Sequence, residues 1–99
     1  MTAHRVDRTL VATRHSASGV TINGGANYYA GLGSVNAVPG MVPVGVRVDM
    51  SGMTNYNNLV AGSIQDNGTW MWVRIYNSQS TACSGSWSAT VYWAKAASP

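Results

Sequence analysis

Thr69–Asn77 reads Thr-Trp-Met-Trp-Val-Arg-Ile-Tyr-Asn, an alternation in which neither phase is polar. Successive side chains of an extended strand point to opposite faces, so Met71, Val73 and Ile75 share one face and Trp70, Trp72, Arg74 and Tyr76 the other. A two-layer sandwich covers one face of each strand and leaves the second in water, where polar residues are the rule. Here the second face is aromatic. Each aromatic buries about 150–250 Å² when covered, and at about 25 cal/mol per Å² the face is worth several kcal/mol, comparable with the stability of a small domain. Part of it is therefore expected to be covered, by an identical subunit, by a ligand, or by the long segment Gly33–Pro43.

The rest of the chain follows the same period. Gly85–Lys95 places Trp87, Ala89, Val91 and Trp93 on one side and Ser88, Thr90 and Tyr92 on the other. In Met41–Met50 the alternation sets Val44, Val46, Val48 and Met50 against Gly45, Arg47 and Asp49, a half-buried strand. Leu59–Gln65 is a further strand leading into the turn Asp66-Asn67-Gly68. Val6–Ala17 reads as an arm followed by a strand, with residues 1–8 the arm or the remnant of a neck. Val20–Asn23 and Asn27–Leu32 read as a hairpin closed by Asn23-Gly24-Gly25. Gly33–Pro43, with two prolines and two glycines, reads as a loop or crossover, since proline cannot join a central ladder. The expectation is a single domain over residues 1–99, an all-β antiparallel sandwich of about seven to eight short strands.

Composition agrees with that class and removes several functions. Charged residues make up only 9% of the chain, against roughly a quarter in ordinary domains, so the surface is poorly equipped to keep the chain monomeric. The net charge of +3 rests on six cations against three aspartates, and Arg5, Arg8 and Arg14 lie at one end of the chain with most aromatics at the other, so nucleic acid is not expected. Neither is membrane insertion, for there is no apolar run of 18 residues, and Met1-Thr-Ala-His-Arg does not open a signal peptide. The chain reads as soluble and unprocessed.

Catalysis is not expected either. Paired-carboxylate chemistry has only Asp7, Asp49 and Asp66 to draw on, and Asp66 belongs to a turn. Cys83, in Ser-Thr-Ala-Cys-Ser-Gly, reads as a thiol in a polar loop whose disulfide, if any, is intermolecular. His4, His15 and Cys83 show no ligand spacing for a metal, although one His15 from each chain of a trimer is a conceivable shared set. No cofactor is expected.

Gly68–Asn77, the Ser/Thr linker Ser78–Ser84 and the closing strand Gly85–Lys95 together resemble the terminal hairpin of the C-terminal head domains of bacteriophage tail fibres and tail receptor-binding proteins. The resemblance covers residues 68–95 well, 41–65 loosely and the first 40 hardly at all. It implies a jelly-roll-like sandwich, a homotrimer, and non-enzymatic adhesion to saccharides of the host cell surface from the tip of the virion's tail. Sugar binding needs an aromatic face for the apolar side of a pyranose and planar polar groups for its hydroxyls. Trp70, Trp72, Arg74 and Tyr76 share one such face, Arg47 and Asp49 another, and Tyr56, Asn57 and Asn58 follow the next loop; these are the expected ligand contacts. The competing readings are a surface ion pair for Arg47 and Asp49, an oligomer interface for the tryptophan face, and for the whole a trimerisation or virion decoration cap that binds no ligand.

Overall fold

The computed structural model describes residues 10–96. The proposed arm, 1–8, and with it His4, Arg5, Asp7 and Arg8, lies outside the described residues. The fold is all-β. Among the described residues six strands run as β1 (Val11–Ile22), β2 (Asn27–Ser34), β3 (Met41–Asp49), β4 (Leu59–Asp66), β5 (Trp70–Asn77) and β6 (Cys83–Lys95), with a 3-10 turn at Tyr56–Asn58. They form two antiparallel three-stranded sheets, β1-β6-β3 and β2-β5-β4, here called sheet A and sheet B.

The inner faces of the two sheets share one apolar core. Sheet B contributes Ala30, Leu32, Met71, Val73 and Ile75, and sheet A contributes Ile22, Trp87, Ala89, Val91 and Trp93. Both buried indoles find partners for their N–H groups, as desolvated indoles must. Trp93 Nε1 donates to Thr13 Oγ1 at 2.8 Å, within sheet A. Trp87 Nε1 donates to Tyr28 Oη at 3.1 Å, tying sheet A to sheet B, and the two rings meet edge to face at 6.3 Å.

Among the described residues six strands stand where seven to eight are expected, because residues 11–17 and 20–22 are not separate elements: both belong to β1, whose register against β6 slips between Ala17 and Val20. The irregularity holds Gly19 at φ +66°, the left-handed conformation in which an extra residue is commonly accommodated in a bulge. The expected hairpin at Asn23-Gly24-Gly25 is likewise overturned. β1 pairs with β6 and β2 with β5, so this turn carries the chain from sheet A to sheet B. The Gly25 amide donates to the carbonyls of Asn77 and Gln79, both at 3.0 Å, which fixes the corner against the far end of β5.

Gly33–Pro43 does cross between the sheets, but its irregular part is confined to 35–40, with β2 running to Ser34 and β3 starting at Met41. Pro43 is tolerated inside β3 because that strand is an edge of sheet A. A register shift between Pro43 and Gly45 then breaks the expected alternation. Val46, Val48 and Met50 pack against the core, whereas Val44 is 56% exposed. The Asp66-Asn67-Gly68 turn does join β4 to β5. Asp66 Oδ1 accepts from the Gly68 amide at 2.9 Å, and Asn67 Oδ1 from the amides of Thr69 and Trp70 at 3.0 and 2.9 Å.

Cys83 departs from its expected place in a polar loop. It is the first residue of β6, fully buried, with its Sγ 3.4 Å from the Asn55 carbonyl oxygen. Met53 is also core, because the segment after β3 folds back to make a bridge with Gly85.

Candidate functional site

Two layers have two outer faces, and in this chain they differ in chemistry. The strands that carry the expected contact residues divide between them.

On sheet B the central strand β5 alternates as its sequence demands: Met71, Val73 and Ile75 are buried, while Trp70, Arg74 and Tyr76 are exposed. Cross-strand partners on the same face extend the aromatic strip. Tyr29 of β2 stands opposite Arg74, and Val60 of β4 opposite Tyr76. Tyr29, Val60 and Trp70 each keep more than half of their surface in solvent. Trp70 is therefore not roofed by the Gly33–Pro43 crossover. Trp72 is half-buried, flanked by Gly31 on one side, and donates from Nε1 to Gln65 Oε1 on the other at 3.0 Å. Together these side chains leave an exposed, largely aromatic strip along the outer face of sheet B. Tyr29 and Val60 join this face only once strand pairing is known; sequence alternation alone does not bring them in.

Arg47 and Asp49 do not join that patch. They project from β3 on the outer face of sheet A, on the opposite side of the core. Within a single chain the inner faces of the two sheets lie between these residues and the aromatic strip. Register sets Arg47 in a row with Thr90 and Arg14, and Asp49 in the next row with Ser88 and Ser16. Arg14 was assigned from sequence only to a cluster of N-terminal positive charge, because nothing local shows that β1 and β3 flank the same strand.

Asp49 is not held by a tight ion pair with its neighbour. Its Oδ1 accepts from the Ser51 hydroxyl at 2.7 Å and the Ser51 amide at 2.9 Å. Those two bonds, in that order, hold its carboxyl below the ordinary carboxylate value. Desolvation opposes them, and the charges of Arg47 and Arg14 act through space in the same direction as the bonds. Asp49 is accordingly ionised throughout the neutral range.

Around these residues the surface is indented. A cleft of about 490 Å³ lies between the β1 bulge and the Ser51–Gly52 turn, and a smaller hollow of about 220 Å³ is lined by Arg14, Arg47, Asp49, Ser88 and Thr90. Asp49 and Ser88 line both, so the two hollows adjoin, and together they are called the groove below.

Tyr56 and Asn57 sit in the exposed 3-10 turn that leads into β4. The Ser78 amide donates to the Asn58 carbonyl at 2.9 Å, which places the turn at the Tyr76 end of β5. His15 points inward from β1, its Cε1 3.3 Å from where a side chain on Gly33 would begin, and its buried Nε2 has no hydrogen-bond partner among the described residues. Among the described residues no three His, Cys, Asp or Glu side chains gather as a metal set, and no helix is long and apolar enough to cross a membrane.

The chain matches no model of a protein family, no curated protein and no solved structure. Its class is that of the fold, an all-β domain of two three-stranded antiparallel sheets with one aromatic and one polar outer face.

Proposed function

We propose that this chain is a non-enzymatic recognition head of the phage-tail type, a homotrimer that adheres to saccharide on a bacterial cell surface. The observation that carries the reading is the inequality of the two outer faces. A permanent subunit contact is apolar and aromatic at its centre, as the outer face of sheet B is, whereas a saccharide needs a hydroxyl-rich, partly charged hollow, as on sheet A. The aromatic strip then serves assembly and the groove faces outward.

The topology supports a jelly-roll-like sandwich. β1 pairs with β6 and β2 with β5 as nested partners, and the folded-over chain adds β3 beside β6 and β4 beside β5. That is the order of an eight-stranded jelly roll lacking its fifth and sixth strands, the outermost strand of each sheet. Three copies raise weak single-site adhesion by effective concentration, commonly about 10²–10⁴-fold.

Replacing Trp70 and Tyr76 together by serine tests the reading. The doubly substituted chain is expected to keep its β-rich circular dichroism, to run as a monomer, and to lose about a hundredfold or more of its adsorption to purified bacterial envelope polysaccharide. A variant that still assembles but no longer adsorbs would move the ligand contact to the aromatic face. Assembly with no adsorption to any envelope fraction, by the unaltered chain, would favour the trimerisation or decoration cap.

A further inference from the structure

The groove on sheet A has a chemistry more specific than saccharide binding in general. Its rows are Ser16–Ser88–Asp49 and Arg14–Thr90–Arg47, each running across β1, β6 and β3. Two guanidiniums thus flank Thr90 from either side, their backbones about 10 Å apart across the central strand. The one carboxylate beside them has Oδ1 occupied by both donors of Ser51. The hollow therefore presents two cations against one anion, and guanidinium forks suit planar or tetrahedral oxyanions better than neutral hydroxyls. The adjoining cleft is lined by the hydroxyls of Ser16, Ser18, Ser51, Ser86 and Ser88. A hydroxyl both donates and accepts, which matches a polyol. The cleft volume of about 490 Å³ falls in the range of small-molecule sites.

We infer that this groove binds an acidic glycan segment, with an oxyanion of the ligand between Arg14 and Arg47 and the neighbouring sugar hydroxyls along the serine-lined cleft. The inference rests on the recognition reading above and narrows its ligand from saccharide to acidic saccharide. Carboxylate and phosphate share the required chemistry, so both sources enter the test.

Three probes are titrated into the uniformly ¹⁵N-labelled chain and followed by amide chemical shifts: a galacturonate tetrasaccharide, the corresponding neutral galactose tetrasaccharide, and a glycerol-phosphate oligomer. At least one acidic probe is expected to shift the amides of Arg14, Ser16, Asp49, Ser88 and Thr90, and to bind about tenfold more tightly than the neutral one. Arg14→Gln and Arg47→Gln are each expected to weaken it about tenfold, the loss of a charge-assisted hydrogen bond. Asp49→Asn is expected to strengthen it, a change of opposite sign that damage to the fold would not produce. Response to galacturonate alone identifies carboxylate as the anion, and response to glycerol phosphate alone identifies phosphate. Equal binding of neutral and acidic tetrasaccharides, unmoved by either arginine substitution, would overturn the inference and leave saccharide recognition standing. Shifts confined to Trp70, Trp72 and Tyr76 would overturn it too, together with the assignment of the two faces. Adsorption to envelope polysaccharide without any shift in the groove would overturn the inference alone.

Discussion

Asn77→Leu is expected to lower the free energy of unfolding by about 3–5 kcal/mol, a large part of what a domain of this size possesses. Asn77 is the one buried polar residue among those described, with no exposed surface. Its Nδ2 donates to the Ile22 carbonyl at 3.1 Å and the Thr81 carbonyl at 2.7 Å, and its Oδ1 accepts from the Gln79 amide at 3.1 Å. Its own amide donates to Ala26 at 3.1 Å and its carbonyl accepts from Gly25 at 3.0 Å. One residue therefore joins the end of β1 and the linker before β6 through its side chain and the corner before β2 through its backbone, all at the same end of the core. Leucine matches the branching and the number of heavy atoms but leaves three backbone groups of the chain without their partner, each worth about 1–3 kcal/mol when buried. Urea denaturation followed by tryptophan fluorescence measures the loss. A change below about 1 kcal/mol would mean that water reaches these groups and that the corner is not sealed.

Gly85→Val is the second large effect, about 3 kcal/mol or more, with a different signature. Gly85 has φ +140°, a conformation that L side chains rarely adopt, and a Cβ there would strike the Gly52 carbonyl oxygen. Gly85 bridges to Met53, and the next amide, Ser86, donates to that same Gly52 oxygen at 3.2 Å. A side chain at this point pushes the Ser51–Asn55 segment off β6. Met53 then leaves the core, and the Cys83 thiol, now covered in part by Asn55, opens to solvent. Two results are expected together: a lower thermal midpoint and rapid reaction of Cys83 with a thiol reagent that the unaltered chain resists. Normal stability with an unreactive thiol would show that the segment is not held through Gly85.

These two sites also show where the sequence stops being informative. β5 and β6 were legible because Met71-x-Val73-x-Ile75 and Trp87-x-Ala89-x-Val91-x-Trp93 state their inward face directly, and burial follows the same alternation. Asp66-Asn67-Gly68 was legible because its side chains satisfy the turn's own amides. The Asn23-Gly24-Gly25 turn carries the same local signal, yet its direction is set by Asn77 and Gln79, more than fifty residues away in the chain. Bulges hide for the same reason: the slip at Pro43–Gly45 turns Val44 outward, while the pattern Val44-x-Val46-x-Val48 reads as unbroken.

The candidate site divides along that line. Trp70, Trp72, Arg74 and Tyr76 were recoverable as one face because they lie on one strand. Arg47 and Asp49 were recoverable as a pair for the same reason. That the two sets face opposite ways, and that Arg14 and the serines of β1 and β6 complete the second set, depends on strand order, which no local pattern encodes. The proposed division of tasks, cohesion on one side and recognition on the other, rests on that separation.

The mass of the unaltered chain in solution, measured by light scattering at micromolar concentration, tests that division most directly. An assembly of three times 10.4 kDa is predicted, held through the sheet B face that Trp70→Ser with Tyr76→Ser disrupts. A particle of 10.4 kDa at every concentration would contradict the account, because the aromatic strip would then stand open in water with no copy of the chain to cover it.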